Sequence, residues 1–192
     1  MILASTSPRR IQMLKENGFS PVIIPPEVDE TIPEHTKPHI AVMFLALKKA
    51  LCAEAIAIEK GYGGDEILIA ADTIVVFKGR IIGKPADKKE AIDILQELRG
   101  EKHTVFTGVA VLKPGTGYRK VFYEASDVFF TDYSDEVVES YANSTEPFDK
   151  AGGYAVQGTW GKYIERVDGD VNNVIGLPLA RLLKELPSNH KD

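Results

Sequence analysis

One candidate for chemistry is an aspartate inside the most apolar stretch of the chain. Asp72 and Thr73 interrupt a run from Ile67 to Phe77 that is otherwise apolar. Burying a carboxylate without compensation is costly, so such a residue needs either a partner or a task. It can be a strand-end aspartate that accepts backbone N–H bonds, or a metal ligand or base directed into a binding site. The apolar residues on both sides favour the second interpretation.

A second candidate is the segment Ser5-Thr6-Ser7-Pro8-Arg9-Arg10, which joins a predicted strand to a predicted helix. Ser7 is a good N-cap and Pro8 a good first helical residue. Helix N-termini carry unpaired N–H groups and partial positive charge, and arginine binds phosphate oxygens bidentately. Alone, this segment fits a phosphate-binding loop and an ordinary capped helix equally well.

Further charged residues could complete such a site. Asp29 and Glu30 are adjacent carboxylates, which can help to hold a divalent cation through oxygen ligands. Lys49 and its neighbour Lys48 lie in a predicted helix that is otherwise rather apolar, so that one of them is a candidate to face inward. Lys84 stands between Gly83 and Pro85, which fix the backbone around a single lysine. A solvated surface charge is the alternative for each.

The segment from Glu146 to Gly158 crowds charged residues, glycines and an amide into a predicted loop. Gly152 and Gly153 permit close approach of the backbone to a ligand. Gln157 can both donate and accept hydrogen bonds, so it could recognise the edge of a nucleobase. A tight structural turn is the competing interpretation.

Arginines, lysines and a helix start beside two or three carboxylates suit phosphate together with a divalent cation. The residues alone therefore predict a metal-dependent enzyme acting on a small phosphorylated molecule, without choosing the substrate. A net charge of −5 argues against binding of a long nucleic acid. The single cysteine, Cys52, excludes an internal disulfide, and no stretch could span a bilayer, so we expect a cytoplasmic protein.

Strands and helices alternate along the chain, which predicts an α/β fold whose sheet is mixed because hairpins interrupt the alternation. The predicted strands are 2–4, 22–24, 67–77, 80–82, 103–112, 120–130, a short one near 155, and 163–167. The predicted helices begin after Ser7, near Ile40, at Asp87, at Ser134 and at Pro178, and end near residues 18, 60, 98, 142 and 186. A loop is expected from Thr145 to Gly153.

These segments resemble, in order, the motifs of the Maf family. The matching motifs are Leu3-Ala4-Ser5-x-Ser7-Pro8-Arg9-Arg10, Asp29-Glu30, Leu45-Ala46-x-x-Lys49-Ala50, Ala71-Asp72-Thr73-x-Val75, Gly83-Lys84-Pro85, Gly100-x-x-His103-x-Val105-x-Thr107, Glu146-Pro147-x-Asp149-Lys150-Ala151-Gly152, Gln157-Gly158 and Gly176-Leu177-Pro178. Any one motif is weak evidence, but together they cover nearly the whole chain.

The resemblance implies one elongated α/β domain, spanning 1–192, with two lobes, a central mixed sheet and the nucleotide in the cleft between the lobes. It implies hydrolysis between the α and β phosphates of a nucleoside triphosphate, with Mg²⁺, Mn²⁺ or a similar cation. The site residues that it implies are Asp72 as catalytic base, with Glu30 as a second metal ligand, Lys49 and Lys84 as further active-site residues, and Ser7 and Arg10 in the phosphate-binding loop.

The tyrosine-containing Gly153-Tyr154-x-x-Gln157-Gly158 version resembles the dTTP/UTP branch of the family, in which Arg10, Thr73 and Gln157 match positions tied to specificity. A house-cleaning role in the nucleotide pool and a homodimer are further implications of the resemblance. Two alternatives stay open at this point. One is a nucleotide-binding regulator of septum formation and cell division, and the other is a pyrophosphatase for non-standard purine nucleotides such as ITP.

Overall fold

The computed structural model describes residues 1–187 as strands, α-helices and short 3-10 helices. The strands are β1 (Ile2–Ala4), β2 (Val22–Ile23), β3 (Leu68–Phe77), β4 (Arg80–Ile82), β5 (Lys102–Leu112), β6 (Arg119–Phe130) and β7 (Ile164–Asp168). The α-helices are α1 (Pro8–Glu16), α2 (Pro38–Glu59), α3 (Lys88–Leu98), α4 (Asp135–Ala142), α5 (Val171–Ile175) and α6 (Leu179–Glu185). The 3-10 helices are Glu146–Asp149, Ala151–Gly153 and Thr159–Tyr163.

All seven strands belong to one mixed sheet, in the order β2-β1-β3-β5-β6-β7, with β4 also paired to β3. Strand β1 runs parallel to both neighbours, with Ile2 opposite Val22 and Leu68. The β3–β4 and β6–β7 pairs are antiparallel. The prediction of an α/β fold with a central mixed sheet flanked by helices is confirmed.

The chain divides into two compact units. The first contains Met1–Asp72, Thr107–Glu124 and the chain from Gly176, and the second contains Thr73–Phe106 and Ala125–Ile175. The single domain with two lobes and an intervening cleft stays a prediction. Within residues 1–187, no helix combines the length and apolar character that crossing a bilayer requires.

In the first unit, α2 packs very closely on the sheet. The helix turns small side chains inward, and five fully buried alanines lie along it: Ala41, Ala46, Ala50, Ala53 and Ala57. On β5, Gly108 allows backbone to approach backbone, because a Cβ at that position would lie 2.2 Å from the carbonyl oxygen of Val42. Small residues on both surfaces therefore set the distance between α2 and the sheet.

The second unit is built around a cluster of aromatic rings. Trp160 is fully buried and lies against Tyr133, with ring centroids 4.8 Å apart. Phe130 contacts Tyr154 edge to face, and the buried Tyr154 hydroxyl lies 2.6 Å from Nε2 of the buried His103. Such edge-to-face pairs add stability beyond the area that they bury. The cluster anchors both ends of the segment that contains Gln157.

Most predicted elements are confirmed to within a few residues, and the differences concern short, glycine-rich segments. The loop expected at 145–153 is largely two 3-10 helices, Glu146–Asp149 and Ala151–Gly153. The strand expected near Ala155 is wrong, because the backbone turns there and the Gly158 N–H donates to the Ala155 carbonyl. Helix α5 was not predicted. Ser7 occupies the N-cap position of α1, but its side chain makes no capping hydrogen bond.

We predict that Gly108→Ala destabilises the protein by on the order of 1–3 kcal/mol or more, because the added methyl would overlap the α2 backbone rather than a flexible side chain. Denaturant unfolding of the purified variant measures the loss. Gly117→Ala is the matched control, since a Cβ there meets nothing within 4 Å. Equal stability of the two variants would contradict this account of helix packing.

A second prediction concerns acid stability. Burial lowers the pKa of His103 from 6.5 to about 4, against an opposing effect of Asp127. Between these values the unfolded chain binds the proton and the folded one does not, so stability falls as pH falls, by roughly 3 kcal/mol near pH 4. Above pH 6.5 His103 is neutral in both states, and its full contribution to the free energy of unfolding is present.

His103→Gln removes this titration while other acid-sensitive groups remain. We compare the wild-type and variant proteins by denaturant unfolding at about pH 7 and at about pH 4.5. The free energy of unfolding should fall less on acidification in the variant. The same loss in both would exclude His103 as its source.

Candidate active site

The centre of the candidate site is a buried ion pair between a strand and a helix. Asp72 on β3 is 6% exposed and Lys49 on α2 is 9% exposed. The Lys49 Nζ donates to the Asp72 Oδ1 at 2.5 Å. The lysine supplies the compensation that a carboxylate in this apolar strand requires. Of the two adjacent lysines, Lys49 thus faces inward, whereas the Nζ of Lys48 donates to the Asp29 carbonyl.

A second carboxylate converges on the same ammonium group. The Glu30 Oε1 lies 3.0 Å from the Lys49 Nζ, and its side chain is 54% exposed. The neighbouring Asp29 is occupied differently, because its Oδ1 accepts from both the N–H and the hydroxyl of Thr31. These bonds hold the pKa of Asp29 below its ordinary value. Glu30, rather than Asp29, therefore joins the buried pair.

Arg10 on α1 adds a second positive charge to this group. Its Nε donates to the carbonyl of Gly176 at 2.8 Å, and its Nη1 donates to the hydroxyl of Ser5 at 3.3 Å. Burial lowers the pKa of the guanidinium, and the nearby Asp72 and Glu30 carboxylates partly offset that effect. Two cations and two carboxylates thus belong to one electrostatic cluster within the first unit.

Ser5 is a residue of this site that the sequence analysis did not single out. It is 6% exposed, and its hydroxyl accepts from the backbone N–H of Ser7 at 3.1 Å as well as from Arg10. Ser5 therefore shapes the turn into α1, and Ser7 stays partly exposed at the first residues of the helix. The position of Ser5 in the sequence, directly after a buried strand and two residues before the N-cap, was the signal that could have identified it.

The carboxylates of Asp72 and Glu30 are also a candidate cation site. Among residues 1–187, no group of three or more His, Cys, Asp and Glu side chains is arranged to hold a metal. Mg²⁺, however, is usually held by one or two carboxylates together with substrate phosphates, not by an all-protein cage. Asp72 and Glu30 fit that pattern, because both already converge on one positive charge.

Lys84 belongs to the second unit, two residues after the end of β4. It is exposed, and its neighbours are tied to the glycine-rich segment that follows α4. The N–H of Gly152 donates to the carbonyl of Gly83 at 3.0 Å, and a Cβ on Gly153 would lie 3.5 Å from the ring of Pro85. Gly152 has a φ of +73°, which favours glycine, and a Cβ there would meet Val75 at 2.9 Å.

Gln157 is an exposed residue between two buried aromatic anchors in the second unit, Tyr154 and Trp160. Its side chain is thus presented to solvent from a fixed stretch of backbone. Thr73 also belongs to the second unit, where it follows Asp72 directly in β3 and is half-buried.

The structure therefore brings together four of the eight predicted site residues in the first unit: Arg10, Glu30, Lys49 and Asp72. Ser7 lies in the same unit, at the start of the helix that carries Arg10. The other three, Thr73, Lys84 and Gln157, lie in the second unit.

The chain is similar over almost its whole length to known proteins. The family model described as "Maf-like protein" matches residues 1–189. A protein of Bacillus anthracis named "dTTP/UTP pyrophosphatase" is 42% identical over 186 residues, which covers 97% of this chain and 93% of that protein. A protein of Bacillus cereus with the same name matches with the same identity and coverage. The chain therefore belongs to the Maf family.

Proposed function

We propose that this protein is a nucleoside triphosphate pyrophosphatase that hydrolyses dTTP and UTP to the monophosphate and pyrophosphate. The observation that carries the proposal is the buried Asp72–Lys49 pair, with Glu30 and Arg10 beside it. A charged cluster of this kind is costly to bury and is typical of active sites. Similarity to two proteins named dTTP/UTP pyrophosphatase supports the choice of substrate.

The proposed reaction gives a role to each charged residue of this cluster. Water attacks the α phosphorus, the bond from that phosphorus to the bridging oxygen breaks, and pyrophosphate leaves. The Asp72 carboxylate accepts a proton from the attacking water, and Lys49 holds that carboxylate in position through the 2.5 Å hydrogen bond. Arg10 offsets the charge that develops on the phosphate oxygens, and Lys84 is a further active-site residue by resemblance to the family. Ser7 presents the start of α1 to the phosphates.

A divalent cation is part of the proposal, with Asp72 and Glu30 as the residues that would hold it. When bound, it supplies positive charge that offsets the negative charge of the reacting phosphates. We further propose the cytoplasm as the compartment, which the single cysteine favours. A homodimer remains an expectation from the family resemblance.

The test of the proposed function is a panel of nucleoside triphosphates incubated with the protein and Mg²⁺, with separate detection of pyrophosphate and orthophosphate. We expect dTMP and pyrophosphate from dTTP, and the corresponding products from UTP. Orthophosphate with dTDP would place the cleavage at the wrong bond. Retained nucleotide binding without turnover of any triphosphate would favour a regulator, and preferred turnover of ITP would favour the purine alternative.

Asp72→Asn should lower turnover of dTTP by roughly a hundredfold or more, the scale expected for loss of a general base or metal ligand. Folding should survive, since the amide is nearly isosteric and its oxygen can still accept from Lys49. Steady-state kinetics and circular dichroism measure the two effects. Asp93→Asn, which alters an exposed carboxylate on α3, is the control. A folded Asp72→Asn protein with near-normal turnover would remove Asp72 from its role.

The final prediction for this function concerns the base. Thymine and uracil present two carbonyl acceptors around one N–H donor, and a glutamine amide can donate to one carbonyl and accept from that N–H. Cytosine has an acceptor in place of the N–H, and the mismatch costs about ten- to a hundredfold in relative rate. We expect dTTP and UTP to be well above CTP, with purines poorer still.

Gln157→Ala should therefore lower kcat/KM for dTTP more than for CTP and narrow the ratio between them. The two nucleotides are compared in parallel on the same preparation. A uniform loss on every nucleotide would instead assign Gln157 to the catalytic apparatus and end this explanation of specificity.

A further inference from the structure

The backbone around Gln157 is held at both ends by side chains of the aromatic cluster. Tyr154 is 5% exposed and its hydroxyl lies 2.6 Å from His103 Nε2, while Trp160 is fully buried. Between them, the Gly158 N–H donates to the Ala155 carbonyl at 3.2 Å. The short turn that presents Gln157 therefore begins and ends at fixed points.

A third contact reaches this turn from a different segment. The Glu146 Oε2 accepts from the backbone N–H of Thr159 at 3.1 Å. Glu146 is itself held in place, because its N–H donates to the Ser144 hydroxyl at 3.2 Å and its carbonyl accepts from the Lys150 Nζ at 2.5 Å. An ionised acceptor on a backbone N–H makes a stronger bond than a neutral one.

The glycine after Gln157 makes room for this carboxylate. A Cβ built on Gly158 would lie 2.5 Å from the Glu146 Oε2, closer than real Cβ contacts. The φ of Gly158 is −101°, which any residue can adopt, so the need for glycine here is one of space. Glu146 and Gly158 are thus complementary: the carboxylate occupies the position that a larger residue would fill.

We propose that Glu146 is a positioning residue for base selection, which fixes the backbone at Thr159 and thereby the direction in which Gln157 points. This inference rests on the proposed function, since it assigns Glu146 to the same recognition of the base. The physical reason is that a glutamine discriminates between bases only if its amide is held in one orientation. Without the Glu146 contact, the turn between the two aromatic anchors has more conformations and the amide can reorient.

The test compares two nearly isosteric substitutions. Glu146→Gln keeps an oxygen that can accept from Thr159, whereas Glu146→Met has a similar length and no oxygen. We expect Glu146→Met to reduce the dTTP-to-CTP ratio of kcat/KM by about tenfold, and Glu146→Gln to retain most of the ratio. Gly158→Ala, which displaces the carboxylate from the other side, should reproduce the Glu146→Met result.

Glu139→Met is the matched control, because Glu139 is an exposed residue of α4 in the same unit. It should leave the ratio unchanged. A purely structural role for Glu146 would lower stability and activity on all nucleotides alike, without changing the ratio. The dTTP-to-CTP ratio of kcat/KM therefore distinguishes a role in positioning Gln157 from a purely structural role.

Hydrogen exchange supplies a readout that does not depend on turnover. The Thr159 amide should exchange about tenfold faster in Glu146→Met than in Glu146→Gln, because only the former loses its acceptor. A folded Glu146→Met protein with an unchanged ratio, or with unchanged exchange at Thr159, overturns the inference. Wild-type protein that turns over no pyrimidine triphosphate would instead remove the proposed function, and this inference with it.

Discussion

The burial of Asp72 is the constraint on which much of the first unit depends. A carboxylate that is 6% exposed within an apolar strand must be compensated, and Lys49 provides the compensation from α2. The inward alanines of α2 and Gly108 on β5 bring the helix close to the sheet, and the Lys49 ammonium on the same helix reaches Asp72 on β3. Losing one partner of such a pair typically costs about 3–5 kcal/mol, although the pair itself adds little net stability.

Around the same pair, the charged side chains of the candidate site are held in place by one another. Glu30 approaches the ammonium from the solvent side, and Arg10 adds a guanidinium whose hydrogen bonds to Ser5 and Gly176 fix it in place. Each charge thus has a partner within the unit before any substrate arrives. Preorganised charges of this kind need little rearrangement during a reaction, which is the main electrostatic contribution to catalysis. Under the proposed function, a phosphate and a cation would enter an arrangement that already balances two positive and two negative groups.

The sequence predicted the parts of the fold that rest on periodicity and composition. A long apolar run predicted strand β3 and its buried Asp72, and a long stretch with apolar residues near helical spacing predicted α2. The residue pattern alone did not choose between Lys48 and Lys49, because a helix that is apolar on most sides does not reveal which face meets the sheet. Only the family resemblance indicated Lys49. The segment from Glu146 to Tyr163 was also poorly predicted. Its structure depends on non-local contacts, such as Tyr154 with His103 and Gly152 with Gly83, that no local pattern records. Ser5 lay in the predicted phosphate-binding segment but was given no role of its own, since its partners are set by the turn and not by its own identity.

The hydrogen bond from Gly152 to Gly83 has a consequence for how this protein can be altered. The segment that carries Gln157 also holds the backbone before Lys84, because the Gly152 N–H donates to the Gly83 carbonyl. After Lys84, a Cβ on Gly153 would lie within van der Waals contact of the Pro85 ring. Lys84 and Gln157 are distant in the chain, but the position of each depends on the same segment. A chimera that exchanges only the segment from Glu146 to Trp160 with a relative would leave the backbone next to Lys84 packed against a segment that does not match it. Residues 83–85 and 146–160 thus form one module, and they must be transplanted together.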